Sequence, residues 1–121
     1  MLIFVYGTLK QGCSNHRYLV GQTFVGEART GPGYRLYALD GFPGMVLRTD
    51  DHEGVQGEVW SVDAPCLARL DVLEGVAEGL YRREPIDLLP PFGDRAVEAY
   101  IYPHGVEGRH DLGSVWTEPT R

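Results

Sequence analysis

A glutamate at the end of a predicted helix is the first residue whose position suggests chemistry. The segment 65–75 carries three leucines at helical spacing: Leu67, Leu70 and Leu73. Glu74 follows Leu67 by seven positions and therefore falls on the same face, which should be buried. Burial and the negative end of the helix dipole both disfavour an ionised carboxylate there, so a raised pKa and general acid–base catalysis are expected. The alternative is that the helix end frays and Glu74 points to solvent.

A glycine-containing turn near the start of the chain is the second candidate. The apolar run 2–5 predicts a short strand, and Tyr6-Gly7-Thr8-Leu9-Lys10 follows it directly. Such a turn exposes backbone N–H groups at the end of a strand, where they can hold a carboxylate or a phosphate. The turn therefore predicts an anion site without indicating which anion binds.

Two other groups of residues have side chains that could react or bind a metal. Cys13 and His16 have the spacing of a nucleophile and its base, but no third residue that would orient the histidine is evident. His104, His110 and Asp111 include metal-binding side chains, yet their spacing fits no recognised zinc site. We therefore expect neither a cysteine nucleophile nor a metal site.

Composition narrows the class of partner. The formal net charge is −6, and the Lys and Arg residues are scattered rather than clustered, which argues against nucleic acid or an anionic membrane as partner. The N-terminal segment lacks the basic region and cleavage site of a signal peptide, and no apolar run reaches the length of a membrane span. Two cysteines do not make a disulfide framework. We expect one cytoplasmic domain over residues 1–121, a monomer or a weak homodimer.

The elements that must position these residues are mostly short strands, because glycine and proline recur along the whole chain. Strands are predicted over residues 2–6, 23–28, 34–39, 45–47, 55–62, 84–89 and 96–102, with a helical turn at 15–21 and a turn at 41–44. One main helix is predicted at 64–73, capped by Asp63, with Pro65 in its first turn and Gly75 after its end. The segment 103–121 is predicted to be an irregular tail anchored by Trp116. The expected fold is α+β: a small mixed, mostly antiparallel β-barrel with one main helix.

Several segments together resemble the γ-glutamylcyclotransferase-like family, and in particular its γ-glutamylamine cyclotransferase branch and bacterial relatives. The resemblance extends from residue 2 to about residue 102. The segments that carry it are Phe4-Val5-Tyr6-Gly7-Thr8-Leu9-Lys10, Gly12, Asn15-His16-Arg17, Gly57-Glu58-Val59-Trp60, Leu70-Asp71-Val72-Leu73-Glu74-Gly75, Leu80-Tyr81-Arg82-Arg83 and Tyr100-Ile101-Tyr102.

The resemblance implies a barrel with the substrate in its cavity. It assigns the catalytic carboxylate to Glu74 and the glutamyl-binding loop to Tyr6, Gly7, Thr8 and Leu9. It also implies cleavage of a γ-glutamyl amide by its own α-amine, releasing 5-oxoproline and a free amine, with Glu74 as base and then acid and with no metal or cofactor. The partner is then a small γ-glutamyl compound. The alternative is an inactive family member that binds a γ-glutamyl-type ligand or a protein.

Further polar residues are assigned less directly. A buried phenol can donate to a developing oxyanion or orient a carboxylate, so Tyr81 and Tyr102 are candidates for substrate binding, with core packing as the alternative. Lys10 and Arg82 could attract the substrate carboxylate or be solvated. Asp71 is either a second catalytic carboxylate or a solvated side chain. The sequence leaves open whether the leaving group is a lysine side chain, a small amine or an α-amino acid. We expect the walls that select among these leaving groups to come from residues 41–45, 80–83 and the tail.

Overall fold

The computed structural model describes residues 1–118, which form eight strands and one α-helix. A short 3-10 helix, His16–Leu19, follows the first strand. The strands are β1 (Leu2–Val5), β2 (Thr23–Arg29), β3 (Tyr34–Ala38), β4 (Pro43–Leu47), β5 (Gln56–Ser61), β6 (Arg82–Ile86), β7 (Val97–Ile101) and β8 (Asp111–Gly113), and the helix is α1 (Ala64–Leu73). No helix in this described part of the chain is long and apolar enough to span a membrane.

The strands form one curled sheet, an open half-barrel, in the order β2-β5-β1-β7-β4-β3-β8, with β6 on the other edge of β7. Pairing is antiparallel except for β1 with β7 and β4 with β7, which are parallel. The prediction of an α+β fold with a mixed, mostly antiparallel sheet and one main helix is confirmed.

Two strands share one edge of β7, and the sheet splits between them. Residues 2–4 of β1 pair with residues 97–99, whereas β4 meets β7 only at Met45 and Ile101. Tyr6, just beyond β1, fills the gap: its hydroxyl donates to the Tyr100 carbonyl at 2.6 Å and accepts from the Met45 N–H at 3.2 Å. The split sheet therefore keeps its backbone groups paired, and the turn after Tyr6 is free to leave the sheet.

Alternating side chains of the sheet build two separate cores. Ile3 and Val5 point to the face covered by α1, where they join Cys66 and Leu70 of the helix. Phe4 points to the opposite face, into the cluster that also contains Trp116. Trp116 is 6% exposed, so the predicted anchoring of the tail by this residue is confirmed.

Helix α1 has the predicted bounds, and both of its ends are fixed locally. The Asp63 side chain accepts a hydrogen bond from the Cys66 N–H at 2.9 Å, and Pro65 occupies the first turn. The predicted helical turn at 15–21 is also present, as the 3-10 helix.

Three predictions of local structure are wrong. Pro43 and Gly44 belong to β4 and not to a turn: proline is tolerated at the first residue of a strand, and a side chain at Gly44 would lie 2.9 Å from Leu39. Strand β6 begins at Arg82, two residues earlier than predicted. The tail is not wholly irregular, because β8 pairs with β3 and both carboxylate oxygens of Asp111 accept hydrogen bonds from Arg35. Residues 119–121 of the tail lie outside the described residues.

Candidate active site

A cavity of about 350 Å³ opens between the end of β1, the start of β4 and the end of α1. Among its lining residues Glu74 has the one charged side chain, and most of the remainder are apolar or aromatic. The lining residues are 4–9, 14–15, 41–43, 73–74, 80–81 and 100. The cavity thus brings Glu74 and the turn at residues 6–9 together, although they are far apart in the chain.

A Schellman motif fixes the backbone that carries Glu74. Glu74 is the C-cap of α1, and Gly75 follows with φ +64°. The Gly75 N–H bonds to the Val72 carbonyl at 3.1 Å, and the Val76 N–H bonds to the Asp71 carbonyl at 3.0 Å. Gly75 permits the left-handed conformation that turns the chain away directly after the carboxylate.

Burial raises the pKa of Glu74 to about 7. Within residues 1–118, no hydrogen bond and no ion pair of the structure engages its carboxylate, so nothing offsets the cost of desolvating the charge. Glu74 is half-buried and lines the cavity at an intact helix end, in contrast to the interpretation in which the helix end frays. At neutral pH the group is divided between its acid and base forms, which suits it to accept a proton and then return it.

The backbone of the turn faces the same cavity. Its carbonyl groups bond to their own loop: Gly7 O accepts from the Lys10 N–H at 3.1 Å, and Thr8 O accepts from the Asn15 N–H at 2.8 Å. The Asn15 side chain donates to Thr8 Oγ1 at 3.0 Å. The N–H groups of residues 7–9 donate none of the turn and loop hydrogen bonds found within residues 1–118, which leaves them available to an anion.

Gly7 is required by the opposite wall of the cavity. A Cβ atom at this position would lie 2.7 Å from Cγ of Pro43. The turn and the start of β4 therefore approach each other more closely than any residue with a side chain would allow.

Three buried tyrosines surround Glu74, and each hydroxyl donates to an acceptor of the protein. Tyr6 donates to the Tyr100 carbonyl, Tyr81 donates to the Pro43 carbonyl at 2.7 Å, and Tyr100 donates to Oδ1 of Asp71 at 2.8 Å. Burial raises the pKa of all three phenols, so they are neutral at physiological pH. The proton of Tyr81 is directed at Pro43 and not at Glu74, which leaves its oxygen as an acceptor toward the cavity.

Other residues singled out in the sequence lie outside the cavity lining. Tyr102 packs edge-on against Tyr81, with 5.7 Å between ring centroids, and contributes no atom to the cavity wall. Lys10 donates from Nζ to the Trp116 carbonyl at 2.6 Å, which holds the tail against the first loop. Arg82 lines a second, separate depression on the sheet with His104.

The alternative reactive groups are engaged elsewhere. His16 Nδ1 lies 3.0 Å from the Leu9 carbonyl oxygen, and its ring packs on Trp60 at 5.2 Å. His104 Nε2 lies 2.6 Å from the Gly79 carbonyl oxygen, while Asp111 bonds Arg35. No cluster of three or more metal-binding side chains occurs in the part of the chain that the structure describes.

Tyr100 and Ser14 line the cavity without having been predicted as site residues. Tyr100 lies in a predicted strand and carried no signal of its own, because its partner Asp71 is 29 residues away. The predicted walls at 41–45 and 80–83 both contribute to the lining through residues 41–43 and 80–81. The described part of the tail contributes none.

Known proteins resemble this chain in sequence over most of its length. The family model described as "Gamma-glutamyl cyclotransferase, AIG2-like" matches residues 3–118. A Vibrio cholerae protein, provisionally named as a gamma-glutamylcyclotransferase, is 43% identical over 112 residues, covering 93% of this chain and 92% of that protein. The gamma-glutamylcyclotransferase family protein YtfP of Escherichia coli K12 is 33% identical over 108 residues, covering 89% and 88%.

The solved structures give the same result at the level of the fold. The crystal structure of an AIG2-like protein from mouse superposes with a TM-score of 0.76 at 28% identity, covering 88% of this chain and 80% of that one. Because the family model spans nearly the whole sequence, the chain belongs to the gamma-glutamyl cyclotransferase, AIG2-like family.

Proposed function

We propose that this protein cleaves the γ-glutamyl amides of amines by intramolecular cyclisation, releasing 5-oxoproline and the free amine. One observation carries the proposal: a half-buried carboxylate whose pKa is raised to about 7, without a hydrogen-bonding partner among the described residues, faces the same cavity as an N–H-rich turn. A γ-glutamyl group presents an ammonium and a carboxylate on one carbon, and these two features complement it.

The reaction needs conformation and proton transfer more than it needs a strong nucleophile. The α-ammonium binds at Glu74 and loses a proton to its carboxylate, and the free amine then attacks the γ-carbonyl carbon. A C–N bond forms as the five-membered ring closes, and the proton on Glu74 passes to the amide nitrogen as its C–N bond breaks. The regenerated Glu74 carboxylate accepts the second proton, which the attacking nitrogen loses on becoming the lactam N–H, and returns it to the released amine. Both reacting atoms belong to one molecule, so holding the chain in its folded-back conformation accounts for much of the acceleration.

The turn is the proposed site for the α-carboxylate. The backbone N–H groups of Gly7, Thr8 and Leu9 would donate to it, as the family resemblance implies, and the Asn15 side chain stiffens the loop through Thr8. Pro43 closes over Gly7 from the other side of the cavity. The α-carboxylate would thus bind at the turn and the α-ammonium at Glu74, although both groups are attached to the same carbon.

The lining favours a leaving amine that carries no carboxylate. Glu74 is the single charged residue among those that line the cavity, and the other walls include Phe42, Leu73 and Leu80. A γ-glutamyl amino acid would place a second carboxylate in this space with no cation among the lining residues to pair with it. Simple alkyl or aryl amines meet no such cost.

The test is release of 5-oxoproline from two matched substrates, γ-glutamylethylamide and γ-glutamylalanine, which differ only in the carboxylate of the leaving group. We expect turnover of the first and at least about tenfold lower kcat/KM for the second, which corresponds to about 1.4 kcal/mol. Glu74→Gln should lower kcat by a factor on the order of 10³ while still binding 5-oxoproline.

The matched control is Glu78→Gln, since Glu78 is exposed and lies four residues further along the same segment. It should retain full activity. Full activity in Glu74→Gln would refute the mechanism. Binding of 5-oxoproline without turnover of any γ-glutamyl amide by the wild-type protein would show instead an inactive, ligand-binding member of the family.

A further inference from the structure

The two parts of the site are connected through one strand residue. The Tyr6 hydroxyl, at the start of the turn, donates to the Tyr100 carbonyl at 2.6 Å. The Tyr100 hydroxyl donates in turn to Oδ1 of Asp71 at 2.8 Å. Asp71 lies three residues before Glu74 in α1, on the adjacent turn. A continuous path therefore runs from the anion turn through β7 to the last turn of the helix.

Asp71 is tied to the helix end by its backbone as well as by its side chain. Its carbonyl accepts from the Val76 N–H at 3.0 Å, which closes the motif that orients Glu74. Its carboxylate also lies 3.3 Å from Nε of Arg83, whose Nη1 is 3.5 Å from Glu98 on β7. The Asp71 side chain is hydrogen-bonded to β7, and the Asp71 carbonyl closes the motif that orients Glu74. Anchoring the side chain therefore also anchors the backbone at Glu74.

Packing holds only one side of this last helical turn, where Leu70 is fully buried and Leu73 packs against the same core. Helix α1 has ten residues, and Val72 in its last turn is 79% exposed. Short helices fray at their ends unless contacts outside the helix hold them. Tyr100, by contrast, is 3% exposed and anchored in the centre of the sheet. The hydrogen bond to Asp71 therefore connects the end of a short helix to a buried residue of the sheet.

We infer that Tyr100 and Asp71 are positioning residues, whose hydrogen bond sets the distance between the anion turn and the Glu74 carboxylate. In cyclisation this distance determines whether the α-amine, held between them, meets the γ-carbonyl in the correct geometry. The kinetic consequence rests on the proposed function. The placement of Glu74 does not, and it can be measured without turnover.

The kinetic experiment uses variants that change one atom or one charge. Tyr100→Phe keeps the ring and removes the donor, and we expect kcat to fall about tenfold with KM changed less than about twofold. Asp71→Ala should behave in the same way, whereas Asp71→Asn keeps an acceptor oxygen and should retain most of the activity. The double variant Tyr100→Phe with Asp71→Ala should be no slower than Asp71→Ala alone, which already removes this hydrogen bond together with the Asp71–Arg83 ion pair.

The matched control is Tyr34→Phe, since the ring of Tyr34 packs against the core on the other face of the sheet. It should leave kcat unchanged. A thermal melt of each variant separates loss of fold from loss of positioning: the tenfold fall in kcat should be seen well below the melting temperature of Tyr100→Phe.

A second measurement is independent of activity: the NMR titration of the Glu74 carboxyl carbon. The groups that interact with Glu74 are Tyr6, Tyr81 and Tyr100, and all three phenols remain neutral in the range measured. In the wild type the midpoint should lie near 7. In Tyr100→Phe the freed helix end becomes hydrated, and the midpoint should fall by about one pH unit, with no change in Asp71→Asn.

An unchanged Glu74 midpoint in Tyr100→Phe would overturn the inference, as would an unchanged kcat in a protein that releases 5-oxoproline. If the wild type releases no 5-oxoproline while the midpoint moves as described, the proposed function fails and the positioning role stands.

Discussion

Two carboxylates that are shielded from solvent, Asp51 and Glu74, have pKa values shifted in opposite directions. The Asp51 side chain is 1% exposed and yet has a lowered pKa, because its hydrogen bonds outweigh the effect of burial. It accepts from the N–H groups of Gly33, Glu53 and Gly54 and from Nη1 of Arg35. Glu74 has none of these partners within the described residues, and burial alone raises its pKa to about 7.

The difference shows what distinguishes a structural carboxylate from a candidate catalytic one. Asp51 joins the loop before β5 to β3, and both of its oxygens accept hydrogen bonds from the protein. Glu74 is buried to a lesser degree, but its oxygens face a cavity and remain available to a ligand. The number of hydrogen-bond donors around a carboxylate, more than its depth of burial, determines whether that carboxylate can act as a base near neutral pH.

The largest expected effect comes from removing the structural carboxylate. Asp51→Ala removes one of the two carboxylate partners of Arg35 and leaves three backbone N–H groups, one of them in a buried hydrogen bond, without this acceptor, so the free energy of unfolding should fall by about 4 kcal/mol. Urea denaturation at neutral pH measures this. The control is Asp50→Ala, whose side chain is 72% exposed and pairs with Arg48, and it should leave the denaturation curve almost unchanged because water screens the pair. Equal effects for the two variants would remove the basis of the comparison.

The site carboxylate should show a stability effect of the opposite sign. Because the folded-state pKa of Glu74 is raised from 4.5 to about 7, the folded protein binds the extra proton, and its stability is lost as pH rises through this window. Glu74→Gln has no proton to lose. The free energy of unfolding of Glu74→Gln, relative to that of the wild type, should therefore increase by up to about 3 kcal/mol as the pH is raised from about 4 to about 8.5.

Denaturation curves of the two proteins at several pH values test this prediction, and they need no substrate. The Asp51 contribution runs the other way, being present at neutral pH and lost in acid below its ordinary pKa of 3.8. If the stability difference between Glu74→Gln and the wild type is constant with pH, then Glu74 is solvated and the contrast with Asp51 is wrong.

Features set by neighbouring residues were predictable from the sequence, and those set by distant contacts were not. The bounds of α1 follow from Asp63 at one end and Gly75 at the other, which are local signals. The face of the helix on which Glu74 lies follows from the leucine spacing alone. For the same reason, the turn beginning at Tyr6 could be placed directly after β1.

The missed features depend on pairs that are remote in the chain. Tyr100 acquires its place in the site through bonds to residues 94 and 29 positions away. Strand β8 pairs with β3, and its Asp111 accepts hydrogen bonds from Arg35, 76 positions earlier. Lys10 binds the Trp116 carbonyl across 106 positions, which explains why a residue next to the turn is absent from the cavity. A single sequence does not reveal such pairs.

The smallest expected effect concerns Asp111, the second carboxylate that pairs with Arg35. It allows a buried and an exposed partner of the same guanidinium to be compared. Asp111 accepts two hydrogen bonds of 2.8 Å from Nε, but its side chain is 44% exposed. Asp111→Asn keeps the shape and one acceptor oxygen, and water screens the lost charge, so stability should fall by only about 0.5 kcal/mol. Urea denaturation should show this loss at about 0.05 M NaCl and almost none at about 1 M NaCl, where the screening length is about 3 Å. A loss as large as that of Asp51→Ala, or one independent of salt, would mean that Arg35 depends equally on both partners and that exposure does not determine the strength of the pair.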